Sequence, residues 1–92
     1  MLESKLQKQI MLYAKKIGAL AYKVNSESSR GFPDLVIILN TGVVLFVELK
    51  TKTGVASALQ LYTIKKLQDN KANATIIRSL DEFKDFVSRF SP

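Results

Sequence analysis

The chain has 92 residues, 47% of them hydrophobic, and a net charge of +6. That is enough for one domain with a small core of its own, and the composition is globular, not disordered. It contains neither cysteine nor histidine, which excludes zinc fingers, thiol nucleophiles, Ser-His-Asp triads and histidine-based nucleases; a metal site here has to be built from oxygen donors, which suit Mg²⁺, Mn²⁺ or Ca²⁺.

In chain order, residues 2–17 predict a helix. Leu6, Ile10, Tyr13 and Ile17 recur at helical spacing, Gly18 stops it, and Glu3 borders the apolar stripe. Residues 19–24 (ALAYKV) suit a short strand, and the polar run Asn25–Gly31 reads as a mobile loop. Residues 34–39 and 43–50 make two strands joined by Asn40-Thr41-Gly42, a triplet that fits a three-residue hairpin loop with glycine in the left-handed position. Ser57-Ala-Leu-Gln60 is a capping-box pattern that opens a helix from Ala58 to about Asn70, with Leu61, Ile64 and Leu67 as its apolar stripe. Residues 74–78 (ATIIR) predict a fourth strand. Ser79-Leu-Asp-Glu82 is a second capping box, opening a helix to about Phe90. Phe83, Phe86, Val87 and Phe90 share one face of that helix, as core or as a partner interface.

The order is αβββαβα. Strand 43–50 is apolar on both alternating sets, so it should be central and covered on both sides, in a mixed four-stranded sheet flanked by helices. No repeat, linker or low-complexity tract interrupts residues 1–92, which read as a single domain. No uninterrupted apolar run exceeds five residues, too few to span a bilayer, and the N-terminus MLESKLQKQI lacks the apolar core of a signal peptide. A cytosolic protein is the simplest expectation.

Charge is uneven along the chain. Residues 1–30 carry six Lys/Arg and two acids, residues 50–71 five and one, so each segment is +4. Residues 31–49 carry only Asp34 and Glu48. The basic flanks suit a polyanion, although a solvated lysine-rich surface would carry the same charge. If Leu39 lies opposite Val43 across the hairpin, Asp34 falls opposite Glu48, with Cβ atoms about 5 Å apart. Two carboxylates so close repel, and a cation between them would resolve the repulsion. Lys50 points to the same face as Glu48. A loop of two or four residues would break this alignment. Taken singly, Asp34 could be a turn residue after Pro33 and Glu48 a charge emerging into water at the strand end.

Gly31-Phe-Pro-Asp34 followed by Glu48-Leu-Lys50 resembles the PD-(D/E)xK nuclease superfamily. The resemblance is closer to its VRR-NUC branch, the virus-type replication–repair nucleases. That branch has a glutamate in the first helix (here Glu3), a Gly-x-Pro-Asp turn, a strand ending in Glu-x-Lys, and a Ser-x-x-Gln at the next helix start (here Ser57 and Gln60). The resemblance spans residues 3 to about 62 and implies a restriction-endonuclease-like αβββαβα core.

It implies that Asp34 and Glu48 hold Mg²⁺ (or Mn²⁺), with the Leu49 carbonyl as a third protein ligand and Glu3 as an outer or second-metal ligand. Lys50 would orient a water or stabilise the transition state, and Gln60 would position Lys50 or that water. Arg30, Lys52, Lys5, Lys8 and Ser57 would contact DNA. The implied activity is metal-dependent DNA endonuclease cleavage, selective for branched DNA such as a four-way junction and carried out by a homodimer. A phage-encoded protein acting in the cytoplasm of a bacterial host would fit this picture. The alternative is a non-catalytic nucleic-acid-binding module with structural carboxylates; the intact Asp34, Glu48 and Lys50 set favours the nuclease.

Overall fold

The computed structural model describes residues 1–24 and 30–90. Most of the predicted Asn25–Gly31 loop therefore lies outside the described residues. Seven elements follow in the expected order: α1 (Glu3–Lys16), β1 (Leu20–Lys23), β2 (Leu35–Ile38), β3 (Val44–Leu49), α2 (Ala58–Asp69), β4 (Asn73–Ile77) and α3 (Leu80–Ser88). Their bounds differ from the sequence expectation mainly at the ends, where helices and strands fray. Among the described residues no helix is long and apolar enough to cross a membrane.

The strands form one sheet in the order β1-β2-β3-β4. β1 and β2, and β2 and β3, pair antiparallel, while β3 and β4 pair parallel. The sheet is mixed, with β3 inside it, as its two-sided apolar pattern requires. Leu35, Ile37, Leu45, Val47, Leu49 and Ile77 form a buried cluster with Leu6, Ile10 and Ala14 of α1 and Phe83, Phe86 and Val87 of α3. Phe90 packs against this cluster, partly buried. The phenylalanine stripe of α3 is thus core and not a partner surface. The fully buried Phe83 ring contributes on the order of 2–3 kcal/mol by leaving water.

α2 covers the opposite face, and one expectation about it fails. Leu61 is 52% exposed, whereas Ile64 is buried. The inward stripe begins one residue earlier, with Gln60, and continues through Ile64 and Leu67. A step of about 100° per residue then turns Leu61 to solvent. Both predicted helix starts are capped. The Ser57 hydroxyl accepts from the Gln60 N–H at 3.1 Å and Gln60 Oε1 accepts from the Ser57 N–H at 2.9 Å. Ser79 accepts from the Glu82 N–H, but the Glu82 carboxylate reaches one residue further back, to the Arg78 N–H.

Two of the three left-handed glycines among the described residues hold that backbone for different reasons. Gly42, at φ +90°, turns the β2–β3 hairpin, with open space around it. Gly31, at φ +82°, lets the chain approach α2 closely: a Cβ there would sit 2.7 Å from Leu59 Cγ, 3.0 Å from the Leu59 carbonyl oxygen and 3.1 Å from Thr63 Oγ1. Gly42→Ala is expected to cost about 1–2 kcal/mol, the backbone penalty alone. Gly31→Ala should cost at least about 1 kcal/mol more, because the helix backbone cannot yield locally. Urea unfolding of the two variants beside the parent checks the difference; equal losses would rule out the close approach.

Candidate active site

The hairpin register decides what meets at the sheet end. The Leu39 N–H donates to the Val43 carbonyl and the Gly42 N–H to the Leu39 carbonyl, both at 2.8 Å. The loop is therefore the expected three residues, and Leu35 lies opposite Val47. One step further, Asp34 faces Glu48. Hydrogen-bonded and non-hydrogen-bonded pairs alternate along antiparallel strands, and Leu39–Val43 is of the first kind. Asp34–Glu48 is then of the second kind, in which Cα atoms approach to about 4.5 Å and side chains lie closest.

The next N–H along β3, that of Leu49, points towards β2 beyond the start of that strand. Asp34 Oδ2 accepts it at 2.8 Å. The carboxylate thus takes the place of a missing ladder partner, which fixes its orientation. The Asp34 carbonyl accepts from the Val24 N–H at 2.8 Å, so this residue is tied to the strands on both sides.

Glu48 is 1% exposed, the one buried charged side chain among the described residues. It does not emerge into water at the strand end, because α2 folds over it. Its Oε2 accepts from Gln60 Nε2 at 2.8 Å, and Lys50 Nζ lies 3.7 Å from the same oxygen. Its Oε1 is buried without a hydrogen-bond partner among the described residues. Burial pushes the Glu48 carboxyl up from 4.5 to about 8. Asp34 adds to the shift by its charge and by offering an acceptor to the protonated form, Glu3 adds by its charge, and Lys50 opposes it. Loss of water is the largest cause, and the charge of Asp34 outweighs that of Lys50.

Gln60 performs two tasks with one amide. Its oxygen closes the α2 capping box and its nitrogen braces Glu48. The expectation that Gln60 positions Lys50 takes a different form here, since it bonds the carboxylate that Lys50 also approaches. The Ser57 hydroxyl, expected at DNA, is engaged as the acceptor of the cap.

Glu3 is exposed in the first turn of α1. Among the described residues no group of three or more acidic side chains comes together closely enough to hold a metal ion. Asp34 and Glu48 are brought together as a pair, and Glu3 stands off from them, near enough to act on Glu48 through its charge. Arg30, Lys52, Lys5 and Lys8 are exposed. Lys8 lines a groove between α1 and β1.

Arg78 was missed in the sequence. Its Nη1 donates to the carbonyls of Thr51 at 2.8 Å and Gly54 at 2.6 Å, pinning the loop that leads from Lys50 to α2. The signal available was its place at the end of the parallel strand, since parallel neighbours finish at the same sheet edge. The Leu49 N–H was also missed, although the predicted register placed it next to Asp34.

Comparison with known proteins agrees with this fold. The model of the VRR-NUC domain matches residues 2–81. A segment of 48 residues is 40% identical to p44, a presumed nuclease of Acyrthosiphon pisum secondary endosymbiont phage 1, and spans 52% of this chain and 52% of that relative. A solved VRR-NUC domain superposes with a TM-score of 0.86 at 27% identity, covering 97% of both chains. A second VRR-NUC domain protein superposes at 0.78, with 17% identity over 98% of this chain and 88% of its own, and shows the fold alone. With the family's pattern matched over most of its length, the chain belongs to the VRR-NUC family of nuclease domains.

Proposed function

We propose that the protein is a metal-dependent DNA endonuclease. The observation that carries this reading is Glu48: a buried carboxylate with one partnerless oxygen, facing Asp34 and lying 3.7 Å from Lys50 Nζ. A fold has little structural reason to bury Glu48 opposite a second carboxylate unless cations balance the pair. The donors are hard oxygens, and each carboxylate is braced through one oxygen by Leu49 or Gln60. That set fits Mg²⁺ or Mn²⁺.

Asp34 and Glu48 would hold the ion, with the Leu49 carbonyl as third ligand. When bound, a divalent cation supplies Lewis acidity to a water and to the phosphate. Glu48 must first lose its proton, and Lys50 assists by favouring the carboxylate. Lys50 is also placed to orient the attacking water or to ease charge growing on the phosphate. Gln60 holds Glu48 in position, so its part is one of positioning. Glu3 acts through its field and would reach a second ion only by local movement of the α1 terminus. Arg30, Lys52 and Lys5 would hold phosphates, which fixes position without reading sequence.

The substrate proposed is branched DNA, with a four-way junction first, cut by a homodimer. Two sites related by a two-fold axis suit a substrate of that symmetry. The seam would not involve the buried α3 stripe. Exposed apolar side chains lie instead on α2 and the loop before it, at Val55, Leu59, Leu61 and Tyr62.

Three tests follow. Without divalent ions, stability should fall as pH rises from about 4.5 to about 8. The folded state retains the Glu48 proton over that window while the unfolded state releases it, and stability falls wherever the native state binds more protons. Millimolar Mn²⁺ should raise the melting temperature at pH 8, by binding the folded state. Glu48→Gln, which keeps an acceptor for Gln60, should flatten the pH dependence and abolish the Mn²⁺ effect. An unchanged wild-type melting temperature with Mn²⁺ would remove the metal site.

In plasmid nicking with Mg²⁺, Mn²⁺ or EDTA, Glu48→Gln and Lys50→Ala should each lower cleavage by about 100-fold or more, with folding and DNA binding kept. Glu3→Gln should have a smaller effect on rate. Full cleavage by the Glu48 or Lys50 variant would defeat the assignment. Binding without cleavage by the wild type in any of the metals would favour the non-catalytic module.

Sedimentation should show a particle near twice 10.3 kDa, cutting a four-way junction faster than linear duplex, with affinity falling steeply in salt. A monomer on the junction, or equal cutting of both substrates, counts against the substrate proposed.

A further inference from the structure

β1 is an outer strand of the sheet, hydrogen-bonded to β2 on one side. The Val24 N–H bonds Asp34 of the neighbouring strand, and the direction of backbone groups alternates along an antiparallel pair. Tyr22 and Leu20 therefore also turn their N–H and C=O groups to β2. Ala21 and Lys23 turn theirs outward, to the open edge. Among the described residues no strand occupies that edge.

α1 overhangs it. Lys8, Met11, Leu12 and Lys15 stand three and four residues apart, in one stripe of the helix. With Ala19, Leu20, Ala21 and Tyr22 they line a groove of about 580 Å³. Leu12, Leu20 and Tyr22 are 70%, 54% and 56% exposed, so the groove leaves a large apolar area in water. Along the overhanging stripe the order is basic, apolar, apolar, basic. No acid is among the lining residues.

We propose that this groove receives an extended segment of a partner protein with the pattern acidic-x-apolar-x-acidic, added as a strand to the β1 edge beneath α1. The outward groups of Ala21 and Lys23 offer ladder hydrogen bonds to another backbone, and side-chain pockets alternate with them, the mode of strand addition. Every second side chain of an added strand points to α1. The middle one meets Met11 and Leu12, and the outer two meet Lys8 and Lys15. Seven helical residues span about 10 Å and four strand residues about 13 Å, a difference the lysine stems absorb.

Charge selects among occupants. A second copy paired through β1 would bring its own Lys8 and Lys15 against this pair, with no acid in the groove to offset them. Duplex DNA demands a dense array of polar donors and cations along its phosphates; here two cations bracket an apolar floor. The added strand would also act on the site, because β1 leads into Val24 and so to Asp34. This assignment does not depend on the nuclease reading.

The test uses the whole chain and a fluorescein-labelled, N-acetylated peptide Thr-Glu-Val-Leu-Val-Glu-Thr. Fluorescence anisotropy should show saturable binding below about 1 mM. Leu12→Ser and Lys15→Glu, both at exposed positions, should each weaken binding at least tenfold, as should replacing the peptide's glutamates by lysine. In amide hydrogen exchange the Ala21 and Lys23 N–H groups should gain protection on peptide addition, while those of Leu20 and Tyr22, already bonded to β2, stay as they were. Absence of saturable binding overturns the proposal, as does equal binding of the lysine peptide or protection gained elsewhere. Loss of a dimer in Leu12→Ser without peptide binding by the parent overturns it in favour of a self-interface. Displacement of the peptide by duplex DNA overturns it in favour of a nucleic-acid surface.

Discussion

A carboxylate buried at the end of a central strand constrains much of this protein. Glu48 has almost no contact with water, and a buried ionised group costs free energy unless it is paired and hydrogen-bonded. The surrounding elements each meet part of that demand. β2 sets Asp34 opposite, α2 sets Gln60 above, and β3 itself supplies Lys50 two residues on. Among the described residues none partners the second carboxylate oxygen.

The bracing is economical in residues. Gln60 closes a helix cap and holds Glu48 with the same amide. Asp34 completes the β-ladder for Leu49 with one oxygen. Arg78 ties the loop between Lys50 and α2 to the end of β4. Each bond serves local folding and site geometry together. The position of α2 therefore matters more than its hydrophobicity, since Ile64 is its one buried residue. Gly31 permits the close seating of that helix against the turn that carries Asp34.

The rest of the surface divides in a way that the net charge conceals. The basic residues do not form one uniform field. Lys50 lies beside the carboxylate pair, and Lys8 and Lys15 bracket the apolar groove along β1. The exposed apolar side chains fall into three sets, one on α2 and the loop before it, one at the α1–β1 edge, and Met1 and Leu2 just before α1.

The sequence by itself determined the element order, the hairpin loop and the central place of β3. These follow from local periodicity, capping pairs and turn chemistry, all of which act within a few residues. The register followed as well, because a three-residue loop and a period of two leave one alignment, and that alignment placed Asp34 against Glu48. Tertiary structure decided what local patterns do not contain. Whether Glu48 reached water depended on where α2 lay across the sheet. Leu61 read as core because helical periodicity does not say which of two adjacent stripes faces inward; the bond from Gln60 to Glu48 settled it. The phenylalanines of α3 were apolar on any reading, but their burial depended on packing against α1. Glu3 shared a motif with the other site residues, yet its distance from them was set by the path of α1, which no spacing in the chain encodes.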